Sequence, residues 1–255
     1  MNETITVEYI IRSKQIPKEV KKYEISKNNL ISMKDIKNTN ISLIKNSKTT
    51  NQDKLTELFL FIITIMYFAM LIISVLIAIF LGSSSYTIWT NTITNLSSYL
   101  FTPTPYVFDL AAILAGISTI IFFILLIKKI LFKGQEQSKS VCGLFSVSSI
   151  IGIIGSTGSI LVGIFSSERS GPNGIFHNSS AIMTFVGLSS SLFFLSVCII
   201  VFRIGISKKF GILGLFCPLI ALGVYGVTLF PITEWILLFS ILASLLPLKI
   251  WIISV

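Results

Sequence analysis

Charge is scarce in this chain. Only 12% of its 255 residues are Asp, Glu, Lys or Arg, against roughly a quarter in an ordinary soluble domain. There is a single histidine, His177, so a metal site built on an H-x-x-x-H pair is excluded. The three cysteines, Cys142, Cys198 and Cys217, are scattered through apolar segments with no C-x-x-C pair. They read as small buried hydrophobes, not as disulfides or metal ligands. No G-x-S-x-G motif is present, so covalent hydrolysis at a nucleophile elbow has no warrant. These absences leave no metal ligand set, no identifiable cofactor and no expectation of a nucleic-acid partner.

What is abundant is apolar sequence. Hydrophobic residues make up 53% of the chain, the mean hydropathy is +0.87, and apolar runs of about 20 residues, enough to cross a bilayer core of roughly 30 Å, recur from residue 58 onward. Strand barrels would need alternating segments of about ten residues, whereas these runs are apolar on every face. The expected fold is all-α: a polytopic membrane bundle of six transmembrane helices at about 58–82, 107–132, 141–166, 178–203, 210–229 and 235–255. The first run starts too far along the chain for a cleavable signal peptide and is expected to stay as an anchor.

Residues 1–55 are expected to form a region separate from the transmembrane domain, 56–255. They hold eleven Lys/Arg against six Asp/Glu. The segments TVEYII, KKYEIS and NISLIKN carry β-branched and aromatic residues in short runs, which predicts weak strands or a partly ordered tail. The basic excess suits anionic lipid head groups at about 1 kcal/mol per close Lys or Arg; a solvated charged tail is the alternative.

The positive charges also set an orientation. The tail, the loop with Lys128, Lys129, Lys133 and Lys139, the loop with Arg203, Lys208 and Lys209, and Lys249 near the chain end hold nineteen positive residues on one side of the membrane, leaving only Arg169 on the other. This bias predicts both termini in the cytoplasm of a multi-pass protein of the cell membrane. The spans themselves read as free of charge at mid-depth.

The outward side then gathers the remaining polar groups. The stretch SSERSGPNGIFHNS at 166–179 holds Glu168, Arg169, His177 and Asn178; Asp109 opens span 2 and Glu234 precedes span 6. In the loop before span 2, Trp89, Ile93, Leu96 and Leu100 recur at helical spacing, with Asn91 and Asn95 on another face. A short interfacial helix is expected there, lidding an outward cluster, with Tyr86, Trp89, Tyr99 and Tyr106 in the aromatic belt. In span 3, Ser149, Gly152, Ser156, Ser159, Gly163 and Ser166 alternate by three and four; span 4 offers Ser180, Thr184, Gly187 and Ser191. Small residues let helix backbones approach closely in lipid, which predicts a tight antiparallel pair of these two helices.

The pieces I-T-N-L-S at 93–97, V-F-D-L-A-A-I-L-A-G at 107–116, L-V-G-I-F at 161–165 and H-N-S-S-A at 177–181, in that order, resemble the six-helix membrane family known as domain of unknown function 998. More distantly, the chain is similar to DRAM and Frag-like membrane proteins, some tied to lipid remodelling. The resemblance covers about 58–255 and implies a six-helix fold and lipid involvement. It carries the family's histidine onto His177 and its polar residue after the first helix onto Asn95. There Asn95-Leu96-Ser97 stands where Asp-Leu-Gly is usual, and Asp109 stands at a position often occupied by Asn.

Two functions follow as expectations. In the first, the outward cluster binds or modifies a lipid: His177 is the acid–base group, Asp109 and Glu168 support it, and Asn91, Asn95, Arg169, Asn178 and Glu234 contact the ligand. In the second, the protein is a non-catalytic membrane sensor or assembly factor acting through its basic tail. A transporter fits less well, since no repeat between halves is evident.

Overall fold

The computed structural model describes residues 5–7, 23–25, 33–82, 85–133, 139–166, 169–170, 174–202 and 206–254. The chain divides into two compact units, Met1–Lys54 and Leu55–Val255.

In the first unit, β1 (Ile5–Val7) and β2 (Tyr23–Ile25) pair antiparallel, with Thr6 opposite Glu24. β2 falls within KKYEIS, and β1 overlaps the start of TVEYII, two of the three segments read as weak strands. The third, NISLIKN, is helical: it belongs to α1 (Met33–Leu81). Once a helix has nucleated, each added residue gains a backbone hydrogen bond, and that cooperativity overrides a local β preference.

The second unit contains six helices long and apolar enough to cross a membrane: the latter part of α1, then α2 (Tyr106–Lys133), α3 (Lys139–Ile164), α4 (Ile175–Phe202), α5 (Lys208–Thr228) and α6 (Pro231–Ser254). Large apolar side chains such as Phe61, Phe80, Ile150, Ile182, Phe216, Val227 and Ile250 stand exposed around the bundle. Water would not tolerate so wide an apolar surface, whereas hydrocarbon solvates it. The chain is thus an integral, multi-pass membrane protein. Its turns follow local chemistry. Pro105 precedes α2 and Pro231 opens α6, where the missing N–H costs nothing. Between α5 and α6, Leu229 takes a left-handed φ of 53° and its N–H closes on the Tyr225 carbonyl at 2.9 Å.

The interfacial helix expected between the first two spans is reduced to one five-residue 3-10 turn, Ile93–Ser97. Ile93 and Leu96 are buried, while Trp89 and Leu100 are exposed, so the four apolar residues do not share a face. With Pro103 and Pro105 ending the segment, the chain folds as successive hydrogen-bonded turns.

The small residues pack α3 on both sides. Gly155 lies against Gly187, and a Cβ on Gly155 would stand 2.7 Å from the Leu188 nitrogen; one on Gly158 would stand 2.8 Å from the Thr184 nitrogen. Ser148 and Ser191 each donate a hydroxyl hydrogen to the other's carbonyl, at 2.8 and 2.7 Å. The α3–α4 pair is therefore as tight as expected, and α4 meets it through the expected Ser180, Thr184, Gly187 and Ser191 row. On α3 the row is different. The expected Ser156, Ser159 and Gly163 turn mainly to α2: Ser159 Oγ donates to the Ala112 carbonyl at 2.8 Å, Gly163 abuts the Asp109 carbonyl, and Gly116 abuts the Ser156 carbonyl. A helix with small residues on two faces can be gripped from both, and α3 is.

Candidate functional site

The polar residues expected on the outward side form separate local partnerships. Asp109, in the first turn of α2, is buried; its Oδ2 accepts from Arg169 Nη2 at 2.6 Å, and the same nitrogen donates to the Gly163 carbonyl at 3.3 Å. The guanidinium ties the start of α2 to the end of α3. Because the Arg169 side chain is 47% exposed, the pair contributes at most about 1 kcal/mol.

His177 is only 3% exposed, in the first turns of α4. Its Nδ1 lies 2.7 Å from the Phe165 carbonyl, and a carbonyl only accepts, so Nδ1 carries the proton. Nε2 then presents a lone pair with no hydrogen-bond partner. Phe165 and Phe176 stack above this turn, with ring centroids 5.5 Å apart. No carboxylate orients the imidazole among the described residues. Glu168 lies outside the described residues, and Asn178 is exposed beside His177.

Glu234, 1% exposed in the first turn of α6, accepts hydrogen bonds from the backbone N–H and the hydroxyl of Thr94. Next to it, Trp235 Nε1 donates to the Asn91 carbonyl at 3.1 Å, and Tyr86 Oη donates to the Thr92 carbonyl at 3.0 Å. Burial and the nearby Glu234 carboxylate push the Tyr86 phenol well above its usual range. Asn91 shapes the loop: its Oδ1 accepts from the Thr87 N–H at 3.1 Å and the Thr90 hydroxyl at 2.8 Å. Asn95 is half-buried in the 3-10 turn, its carbonyl accepting from the Ser98 N–H at 3.1 Å. The loop is thereby latched onto the N-terminus of α6. Among the described residues no three His, Cys, Asp or Glu side chains gather as a metal site.

The concave feature lies deeper. The helices α2 to α6 approach one another closely in sequence order, but α1 makes no comparable backbone approach to another helix. Two adjoining cavities of about 60 and 70 Å³ occupy the gap, sharing walls at Tyr67, Ala115, Ser159, Thr184, Phe185 and Leu238. The outer one reaches Ile93 and Thr94 of the latched loop; the inner one reaches Thr64 and Lys249. Together they form a crevice that is apolar apart from a few hydroxyls and one amine.

That amine is the residue the sequence reading misplaced. Lys249, counted above among cytoplasmic charges, is only 7% exposed inside the bundle. A helical side chain leans toward the N-terminus of its helix, so Nζ is carried away from the chain end. It lies 2.8 Å from Ser118 Oγ and 3.3 Å from Thr119 Oγ1, residues at the middle of the Tyr106–Lys129 span. The expectation of charge-free spans at mid-depth is thus corrected. The available signal was a lone Lys within LLPLKIWII, since intramembrane ionisable residues are functional candidates by default.

Comparison of the chain with protein-family models, with curated proteins and with solved structures gave no match.

Proposed function

We propose that this protein binds the apolar chain of a membrane amphiphile in the crevice between α1 and the α2–α3–α4–α6 wall, beneath the latched outer loop. The observation that carries the reading is the crevice itself, an unfilled apolar gap in a bundle where α3 touches α2 and α4 backbone to backbone. Helix interfaces in lipid gain their stability from close van der Waals packing, so a gap beside Thr64, Tyr67, Phe68 and Leu71 of α1 forfeits stability unless something fills it. A lipid chain is the filler that the surroundings supply. Thr94 lines the outer end of that gap and is itself hydrogen-bonded to Glu234, which keeps an outward polar level in the same reading.

The orientation belongs to this proposal. Nearly all Lys and Arg outside the bundle core fall on the side of the termini, which supports cytoplasmic ends in a cell membrane and a basic tail facing anionic head groups. The more distant resemblance to DRAM and Frag-like membrane proteins, some tied to lipid remodelling, points the same way.

The test is photo-labelling of the protein in bilayers with a diazirine-bearing acyl chain, followed by mapping of the labelled peptides. Labels concentrated on Tyr67, Ala115 and Leu238, and displaced by unlabelled lipid, support the reading. Labels spread evenly over outward residues such as Phe61, Ile150 and Phe216 overturn it.

A further inference from the structure

Among the described residues two lysines enter the bundle, and they are treated differently. Lys129 Nζ sits 2.8 Å from Glu57 Oε1 and also donates to the Ile252 carbonyl, so its charge is matched by a carboxylate within the chain. Lys249 has only hydroxyl partners. Ser118 and Thr119 both donate their own hydrogens to the Ala115 carbonyl, at 3.1 and 2.8 Å, and accept from the ammonium with their lone pairs. A lysine ammonium has three N–H donors, and these two contacts leave one for the crevice that Lys249 lines. Among the described residues no Asp or Glu lines that crevice. A buried ammonium is costly unless a counter-charge and hydrogen bonds offset its lost hydration.

We infer that Lys249 receives the carboxylate of a single-chain amphiphile of the fatty-acid class, with the tail running outward along α6 past Leu238. This rests on the crevice reading above and adds the ligand's head group and direction. The charge decides the class. One ammonium matches one negative charge, whereas a phosphate monoester near neutrality carries about 1.5 to 2 and would bring uncompensated charge into the same apolar site. Length fits as well. From Leu238 to Lys249 the helix rises roughly 16 Å; the lean of the Lys249 side chain takes up part of that rise, and the outer cavity extends the path beyond Leu238 to Ile93 and Thr94, leaving room for an acyl chain of medium length. The head group is placed at mid-bundle, beyond the reach of a two-chain phospholipid with a bulky polar head.

The experiment measures binding of laurate and of methyl laurate to the full-length protein in nanodiscs, by native mass spectrometry. The expected result is that wild type binds laurate at least about tenfold more tightly than the ester, the effect of one charge-assisted contact. Lys249→Met should remove the preference, so that laurate binds the variant no more tightly than the ester does. If wild type binds acid and ester equally and Ala115→Phe abolishes both, the Lys249 assignment is overturned while the crevice reading stands. If neither ligand binds wild type, both fall. A preference for acid that survives in Lys249→Met also overturns the assignment. Should that variant not fold, the wild-type comparison of acid with ester decides alone.

Discussion

The α3–α4 interface and the face that α1 turns to the bundle are built from opposite materials. Between α3 and α4, Gly155, Gly158 and Gly187 bring backbone against backbone, and two serines exchange hydrogen bonds. Along α1, Tyr67, Phe68 and Leu71 hold the neighbouring helices off, and a crevice remains. In a solvent as apolar as the side chains, association depends on contact and hydrogen bonding, not on exclusion of water. The first interface has both in full, while the second lacks part of the contact. One joint is thus closely packed throughout, and the other keeps unfilled space.

Four substitutions would break or sharpen this contrast. Gly155→Leu should do most damage: its side chain meets the Leu188 nitrogen and the Gly187 backbone, which cannot rotate aside. Overpacking there should cost roughly 3 kcal/mol, seen as a lower Tm in detergent or nanodiscs. Ser148→Ala removes one of the two reciprocal bonds with Ser191 and should cost about 1 kcal/mol, the scale of interhelical hydrogen bonds in membranes. Asp109→Asn weakens a half-exposed ion pair and should shift stability by less than about 1 kcal/mol. A drop as large as that of Gly155→Leu would mean that the outer ion pair holds the bundle as firmly as the glycine contact does. Ala115→Phe, in the shared wall of the two cavities, should have the smallest effect on the empty protein, because the ring enters existing space. Its effect should appear on ligand binding.

The number and extent of the membrane helices were legible because each span is a continuous apolar run bounded by Pro, Gly, Ser or Lys. The α4 half of the tight pair was legible too, as Ser180, Thr184, Gly187 and Ser191 lie on one helical face. The α3 half was not: small residues occur on two of its faces, and periodicity alone cannot say which neighbour takes which face. The outer groups were located by orientation alone, which says that Asp109, His177 and Glu234 share a level without saying that they touch. They find separate partners, in Arg169, the Phe165 carbonyl and Thr94, two of which are carbonyl or loop groups with no signature of their own. Lys249 was misread because closeness to the chain end resembles closeness to water. Only the lean of a helical side chain toward mid-depth and the hydroxyls of Ser118 and Thr119 show otherwise.

The measurement that tests the two-interface account most directly is the thermal unfolding of wild type and Ala115→Phe, each with and without laurate in the nanodisc. A ligand that binds only the folded crevice raises Tm by mass action. Laurate should give a clear rise for wild type and none for Ala115→Phe, whose ring enters the gap. An equal rise in both proteins would contradict this, because the stabilising ligand would then be acting somewhere other than the face of α1.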